Sequence, residues 1–143
     1  MAIDISMLSQ RILNLQDRLI RNDNAKVVAS SKAFLTEVVN ATPVDTAQAV
    51  SSWKTGFNYQ PRGMRNFAPG SKGSSASAAR AQVLATELPR LDGRKTGYTV
   101  YIVNTATYIS ELNAGRSKQA PAGFIDRARL AAGAASRKIR MLD

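Results

Sequence analysis

From Ile5 to Asn40 the chain contains neither glycine nor proline, and Leu8, Ile12, Leu15 and Leu19 recur at the spacing of one helical face. Such a stretch is helical. The run Arg21-Asn22-Asp23-Asn24 interrupts it with poor helix formers, after which Val27, Phe34, Leu35, Val38 and Val39 resume an apolar stripe on a shifted face. One long bent helix and two shorter ones both fit. Pro43 then drives Thr42 out of the helical region, and Asp45 or Thr46 is placed to cap a short following turn, with Gln48 as a capping-box partner of Asp45.

The period changes at Ser52, because Trp53, Thr55, Phe57 and Tyr59 alternate with Lys54, Gly56, Asn58 and Gln60, the pattern of a half-buried strand. Residues 61–76 hold two prolines and three glycines and read as an open, mobile loop. Alanines and Leu84 mark a helix from about Ser77 to Leu88, which Pro89 is expected to end. A turn at Asp92-Gly93-Arg94-Lys95 leads into a β-branched strand from Tyr98 to Asn104. Ala106–Asn113 reads as a short helix closed by Gly115. Pro121 suits a first helical position, and Phe124, Ala128, Ala131, Ala135, Ile139 and Leu142 mark one face of a last helix. The expected fold is α+β in a single domain over residues 1–143: a long N-terminal helix, a small antiparallel sheet, short helices and a C-terminal helix.

Composition removes much chemistry. With no His and no Cys among 143 residues, the chain has no disulfide, no zinc site of the usual kinds, no thiol nucleophile and no histidine proton shuttle. Its scattered acids give no paired cluster suited to a hard metal, so neither a metal nor a cofactor is expected. Ser51-Ser52-Trp53-Lys54 matches SxxK, but these residues lead into a strand, where positions three apart point to opposite faces. Gly70-Ser71-Lys72-Gly73 resembles a phosphate loop in composition alone. The chain is therefore read as non-enzymatic, with no catalytic residues. It also lacks a long apolar run and a basic-then-apolar N-terminus, which points to a soluble intracellular protein without a membrane partner.

The net charge is +10 and unevenly spread. Residues 1–60 carry six basic and five acidic side chains, residues 61–143 fourteen and five. Arg62, Arg65, Lys72 and Arg80 sit in a Gly/Ser/Ala-rich segment, and Arg127, Arg129, Arg137, Lys138 and Arg140 near the C-terminus. Such patches attract polyanions or acidic protein faces. The first four are accordingly candidate partner- or DNA-facing residues. Nonspecific contact with double-stranded DNA fits the charge, whereas no helix-turn-helix, RNP strand or aromatic-basic interleaving signals sequence reading.

Two blocks resemble a known family. Thr42-Pro43-Val44-Asp45-Thr46, followed by Ser51-Ser52-Trp53, is similar to the TPVDTG…SW segment of the tail-completion or neck proteins of tailed bacteriophages. The run Val100–Ile109, then Glu111-Leu112-Asn113-Ala114-Gly115-Arg116-Ser117 and Gln119-Ala120-Pro121-Ala122-Gly123-Phe124, resembles that family's strand, its YA…LE.G.S series and its QAPAG motif. The resemblance spans residues 25–135. Ala47 replaces the usual Gly, implying that no positive φ is needed there, and Glu111-Leu112 reverses the family's order.

The resemblance implies a virion structural protein of the neck or tail region, assembled in the host cytoplasm, that joins head to tail as a ring of six or twelve copies between portal, adaptor or tail proteins. Ring subunits meet through two different faces. The loop carrying Arg116, Ser117, Lys118, Gln119 and Pro121 is the candidate interface, because Pro121 and the flanking Gly115 and Gly123 fix a polar loop that no catalytic reading explains. The competing reading is a small basic phage DNA-binding or DNA-packaging accessory protein.

Overall fold

A computed structural model describes residues 5–42, 47–67, 76–115 and 122–140. The elements are α1 (Ile5–Ala41), α2 (Gln48–Ser51), β1 (Trp53–Phe57), α3 (Ala76–Asp92), β2 (Val100–Asn104), α4 (Ile109–Asn113) and α5 (Phe124–Arg137). The fold is the expected mixture of helix and strand, with β1 and β2 forming a two-stranded antiparallel sheet. Trp53 pairs with Asn104 and Phe57 with Val100.

The N-terminal stretch is one helix of 37 residues, about 55 Å long at 1.5 Å per residue. It runs through Asn22-Asp23-Asn24 unbroken. Each poor helix former there costs only about 0.5 kcal/mol, and Arg94 braces the weak point by donating to Asn24 Oδ1 at 2.6 Å. Packing sustains the C-terminal half, where Leu35, Val38 and Val39 are fully buried. Each such side chain contributes roughly 1.5–3 kcal/mol relative to an exposed one. α5 packs along α1 more extensively than any other pair of elements. Its fully buried Phe124 and Ala128 join the core with Trp53, Val50, Ala79, Val83 and Leu91. Trp53 meets the Phe34 ring edge-on at 6.4 Å between centroids.

Several local expectations need correction. α3 does not stop at Pro89 but continues to Asp92 with the proline inside it. The proline forfeits its bond to the carbonyl four residues back and crowds it, and burial of Leu91 offsets that cost and holds the last turn in helical form. β1 is shorter than the alternating run: Tyr59 lies past its end and is 56% exposed. β2 begins at Val100, while Asn58 N–H donates to Thr99 O and Thr99 N–H to Asn58 Oδ1, continuing the pairing for one step. α5 begins after Gly123; Pro121 lies outside the described residues, as do Pro43, Asp45 and Thr46.

Ala47 occupies the N-cap position of α2 at φ +66°, with no side-chain cap bond. The expectation that this position needs no positive φ is thus wrong. An alanine stands in the left-handed region at a cost of roughly 1–2 kcal/mol, held there because its methyl group is buried in the core. The other short helix follows the sequence more closely: α4 ends at Asn113 and Gly115 follows at φ +90°.

Candidate interaction surfaces

The outer edge of β1 is the first place where charged side chains converge. Odd-numbered residues of β1 turn their backbone groups away from β2, leaving an edge that must find partners. Arg65 Nη2 donates to Trp53 O at 2.7 Å, and Thr55 N–H donates to Glu87 Oε2 at 3.1 Å. The Thr55 hydroxyl donates to the same oxygen at 2.6 Å. Arg65 and Glu87 close the arrangement through a 2.9 Å ion pair, so the two side chains stand where a third strand would.

Glu87 is completely buried, and it lies on the face of α3 formed by Ala79, Val83 and Leu91, all buried at four-residue intervals. A carboxylate on an apolar stripe is the one sequence signal that marks this position. Arg65 has further anchors: Nε donates to Ser51 O at 2.7 Å, and its guanidinium lies 4.5 Å from the Phe67 ring centroid. The segment around it is fastened too. Ser52 Oγ donates to Arg65 O, Phe67 N–H donates to Ser51 Oγ, Lys54 Nζ donates to the carbonyls of Arg62 and Gly63, and Thr105 Oγ1 donates to Gly63 O. Residues 61–67 of the expected open loop are therefore tied to the sheet, whereas 68–75 lie outside the described residues.

The four basic residues grouped by sequence thus separate. Arg65 is engaged inside the fold. Arg80, on α3, donates to Val39 O at 3.3 Å and Thr42 O at 3.1 Å, supplying the cation that the last turn of α1 lacks. Arg62 is exposed, and Lys72 lies outside the described residues. The C-terminal group is more open: Arg127, Arg129, Arg137, Lys138 and Arg140 are all exposed. Arg129 pairs with Asp126 at 3.2 Å, and Arg127 donates to Ala122 O.

Arg116, Ser117, Lys118, Gln119 and Pro121 all lie outside the described residues, but the base of their loop does not. Gly123 N–H donates to Asn113 O at 2.9 Å and Ile125 N–H to Asn113 Oδ1 at 3.0 Å, so one asparagine receives both. A Cβ on Gly115 would come within 3.0 Å of the Ala122 methyl. These contacts hold the two ends of the loop together.

The motif residues themselves form joints. Thr42 Oγ1 accepts from Trp53 Nε1 at 2.9 Å and donates to Val38 O, linking the end of α1 to β1. Asn104 Nδ2 donates to Ala49 O, and its Oδ1 accepts from Ala106 N–H, linking β2 to α2 and to the turn before α4. Ser51 is fully buried and Lys54 is bonded to loop carbonyls, so the SxxK pair does not face one site.

Among the described residues, two apolar surfaces bear on partners. A groove of about 340 Å³ is lined by Ser30, Ser31, Phe34, Val100, Ile102 and Ala132, with Arg129 at its side. Both serines donate to their own helix carbonyls, which leaves their carbon faces toward it. The second is the N-terminal half of α1, where Met7, Leu8, Ile12, Leu13, Leu15, Leu19 and Ile20 are between 36% and 56% exposed. No helix among the described residues is long and apolar enough to cross a membrane. Comparison with protein-family models, with curated proteins and with solved structures gives no match to this chain.

Proposed function

We propose that the chain is a non-enzymatic virion component of a tailed bacteriophage, acting in tail completion or head-to-tail joining as one subunit of a ring of six or twelve copies. The reading begins from the two motif blocks and their resemblance to the neck proteins. The observation that carries it further is how those blocks are used. Thr42, Trp53, Asn104, Asn113, Gly115 and Gly123 are engaged in joints between elements, the use expected of residues that hold a subunit's shape for assembly. The exposed apolar helix and the basic α5 surface suit a protein that meets several neighbours.

In this reading the 116–121 loop, whose base is clamped by Asn113, contacts the adjacent subunit, and portal, adaptor or tail proteins cover the rings above and below. Alanine at both Arg116 and Lys118 blocks particle assembly while the isolated protein keeps its circular dichroism and melting temperature. Normal yields of infectious particles from that variant refute the assignment of the loop.

The DNA-accessory reading draws on one specific observation, the run of exposed cations from Arg127 to Arg140. It predicts binding to double-stranded DNA that weakens steeply between about 50 and 200 mM salt. Subunit association through apolar contacts instead survives that change.

A further inference from the structure

Of the seven exposed apolar residues on the N-terminal half of α1, four fall into a regular seam. Leu8, Ile12, Leu15 and Leu19 follow one another at intervals of four, three and four residues, with exposures of 52%, 51%, 44% and 36%. In a heptad frame, Leu8 and Leu15 occupy d and Ile12 and Leu19 occupy a. Asn22 and Lys26 take the next d and a, so the apolar seam ends before the buried part of the helix begins. At 100° per residue the seam lies roughly 160° around the helix from the mean direction of Leu35, Val38 and Val39. The seam is therefore not a continuation of the buried stripe, and it is one of the apolar faces this half of α1 leaves exposed, Leu13 and Ile20 lying on another.

The flanking charges choose a partner and a direction. Arg11 and Arg18 fall at g, Gln16 and Asp23 at e. In a parallel pair of helices a g residue meets the e residue five positions on in the other copy, which sets Arg18 against Asp23. An antiparallel pair sets g against g and brings the arginines together. Neither Arg18 nor Asp23 has an ion pair or hydrogen bond within the described residues, so both charges are available to a second chain.

We propose that residues 8–23 of α1 form a parallel two-stranded coiled coil with the same segment of a second copy of this chain. The seam Leu8-Ile12-Leu15-Leu19 forms its dry interface, and the Arg18–Asp23 pairs flank it on both sides. This pairing is independent of the neck-protein reading, since a dimer with no virion role leaves it intact.

The test is sedimentation equilibrium of the full chain over a concentration series. The wild-type protein sediments as a dimer at about 100 µM, where a micromolar Kd gives nearly full association. Ile12→Gln with Leu15→Gln keeps good helix formers and leaves the folded core untouched, seen as unchanged circular dichroism and melting of the monomer, yet weakens association at least about tenfold. Arg18→Glu weakens it several-fold, and Arg18→Glu with Asp23→Arg restores it. A monomeric wild type overturns the proposal, as does association indifferent to the glutamines, a trimer or larger species built on this seam, or adsorption of monomers to phosphatidylserine vesicles through the same leucines. Strengthening by Arg18→Glu alone indicates antiparallel packing and overturns the orientation.

Discussion

Glu87→Gln is the substitution whose cost follows most directly from the geometry. The carboxylate has no exposure to water and accepts three hydrogen bonds, from Thr55 N–H, the Thr55 hydroxyl and Arg65 Nη1. Glutamine preserves the volume but offers one acceptor oxygen in place of two. With that oxygen toward Thr55, the new NH2 group faces the guanidinium, donor against donor. The lost charge-assisted bond costs about 1.5–3 kcal/mol. Breaking a buried pair outright costs about 3–5 kcal/mol, an upper bound because the Arg65 side chain is 21% exposed and keeps its bonds to Ser51 O and Trp53 O. We expect about 3 kcal/mol, hence a melting temperature about 10 °C lower for a chain of this size. Thermal unfolding followed by circular dichroism measures it. Arg65→Met is the second arm of a double-mutant cycle, with an expected coupling of about 1–3 kcal/mol. A melting temperature within about 2 °C of wild type, or full additivity of the two substitutions, refutes the role given to this pair.

Arg80→Ala removes the bonds to Val39 O in the last turn of α1 and to Thr42 O just past it and lowers stability by about 1–2 kcal/mol, read by chemical denaturation. Ala47→Gly relieves a left-handed alanine but loses a buried methyl worth about 0.8 kcal/mol, so stability stays within about 1 kcal/mol of wild type. Ala49→Gly, in the following helix, is the contrasting control and costs more than about 1 kcal/mol by the same assay. Gly115→Ala combines a positive φ with a 3.0 Å approach to the Ala122 methyl and destabilises by about 1–2 kcal/mol. Hydrogen exchange of the Gly123 and Ile125 amides rises in that variant if the loop base loosens as expected.

Periodicity exposed what is local in this fold. The helical stripe, the change to a two-residue period at Ser52 and the β-branched run before Asn104 are each properties of a few adjacent residues, and α1, β1 and β2 lie within those patterns, although β1 ends at Phe57 and β2 begins only at Val100. Pro89 misled because its local cost, a lost bond to the carbonyl four residues back and a crowded ring, is real, while the burial of Leu91 that offsets it and carries the helix onward is a tertiary effect. Ala47 misled for a similar reason: its φ is set by core packing, not by its own preference.

The basic residues show the sharper limit. Arg62, Arg65, Lys72 and Arg80 look equivalent in composition, yet Arg65 finds its carboxylate 22 positions away, and Arg80 its carbonyls 38 and 41 positions away. Charge counted along a sequence carries no information about such partners. Glu87 itself was legible only as an acid on the stripe of Ala79, Val83 and Leu91. The clamp at Asn113 and Gly115 comes from contacts that the sequence did not announce, and residues 116–121 beyond it lie outside the described residues.

The most direct test of the functional reading is cryo-electron microscopy of complete particles made by the phage or prophage that encodes this chain. The account predicts a ring of six or twelve copies at the portal vertex, with residues 116–121 at the contact between subunits. Complete, infectious particles without this chain contradict it and shift the weight to the DNA-accessory reading.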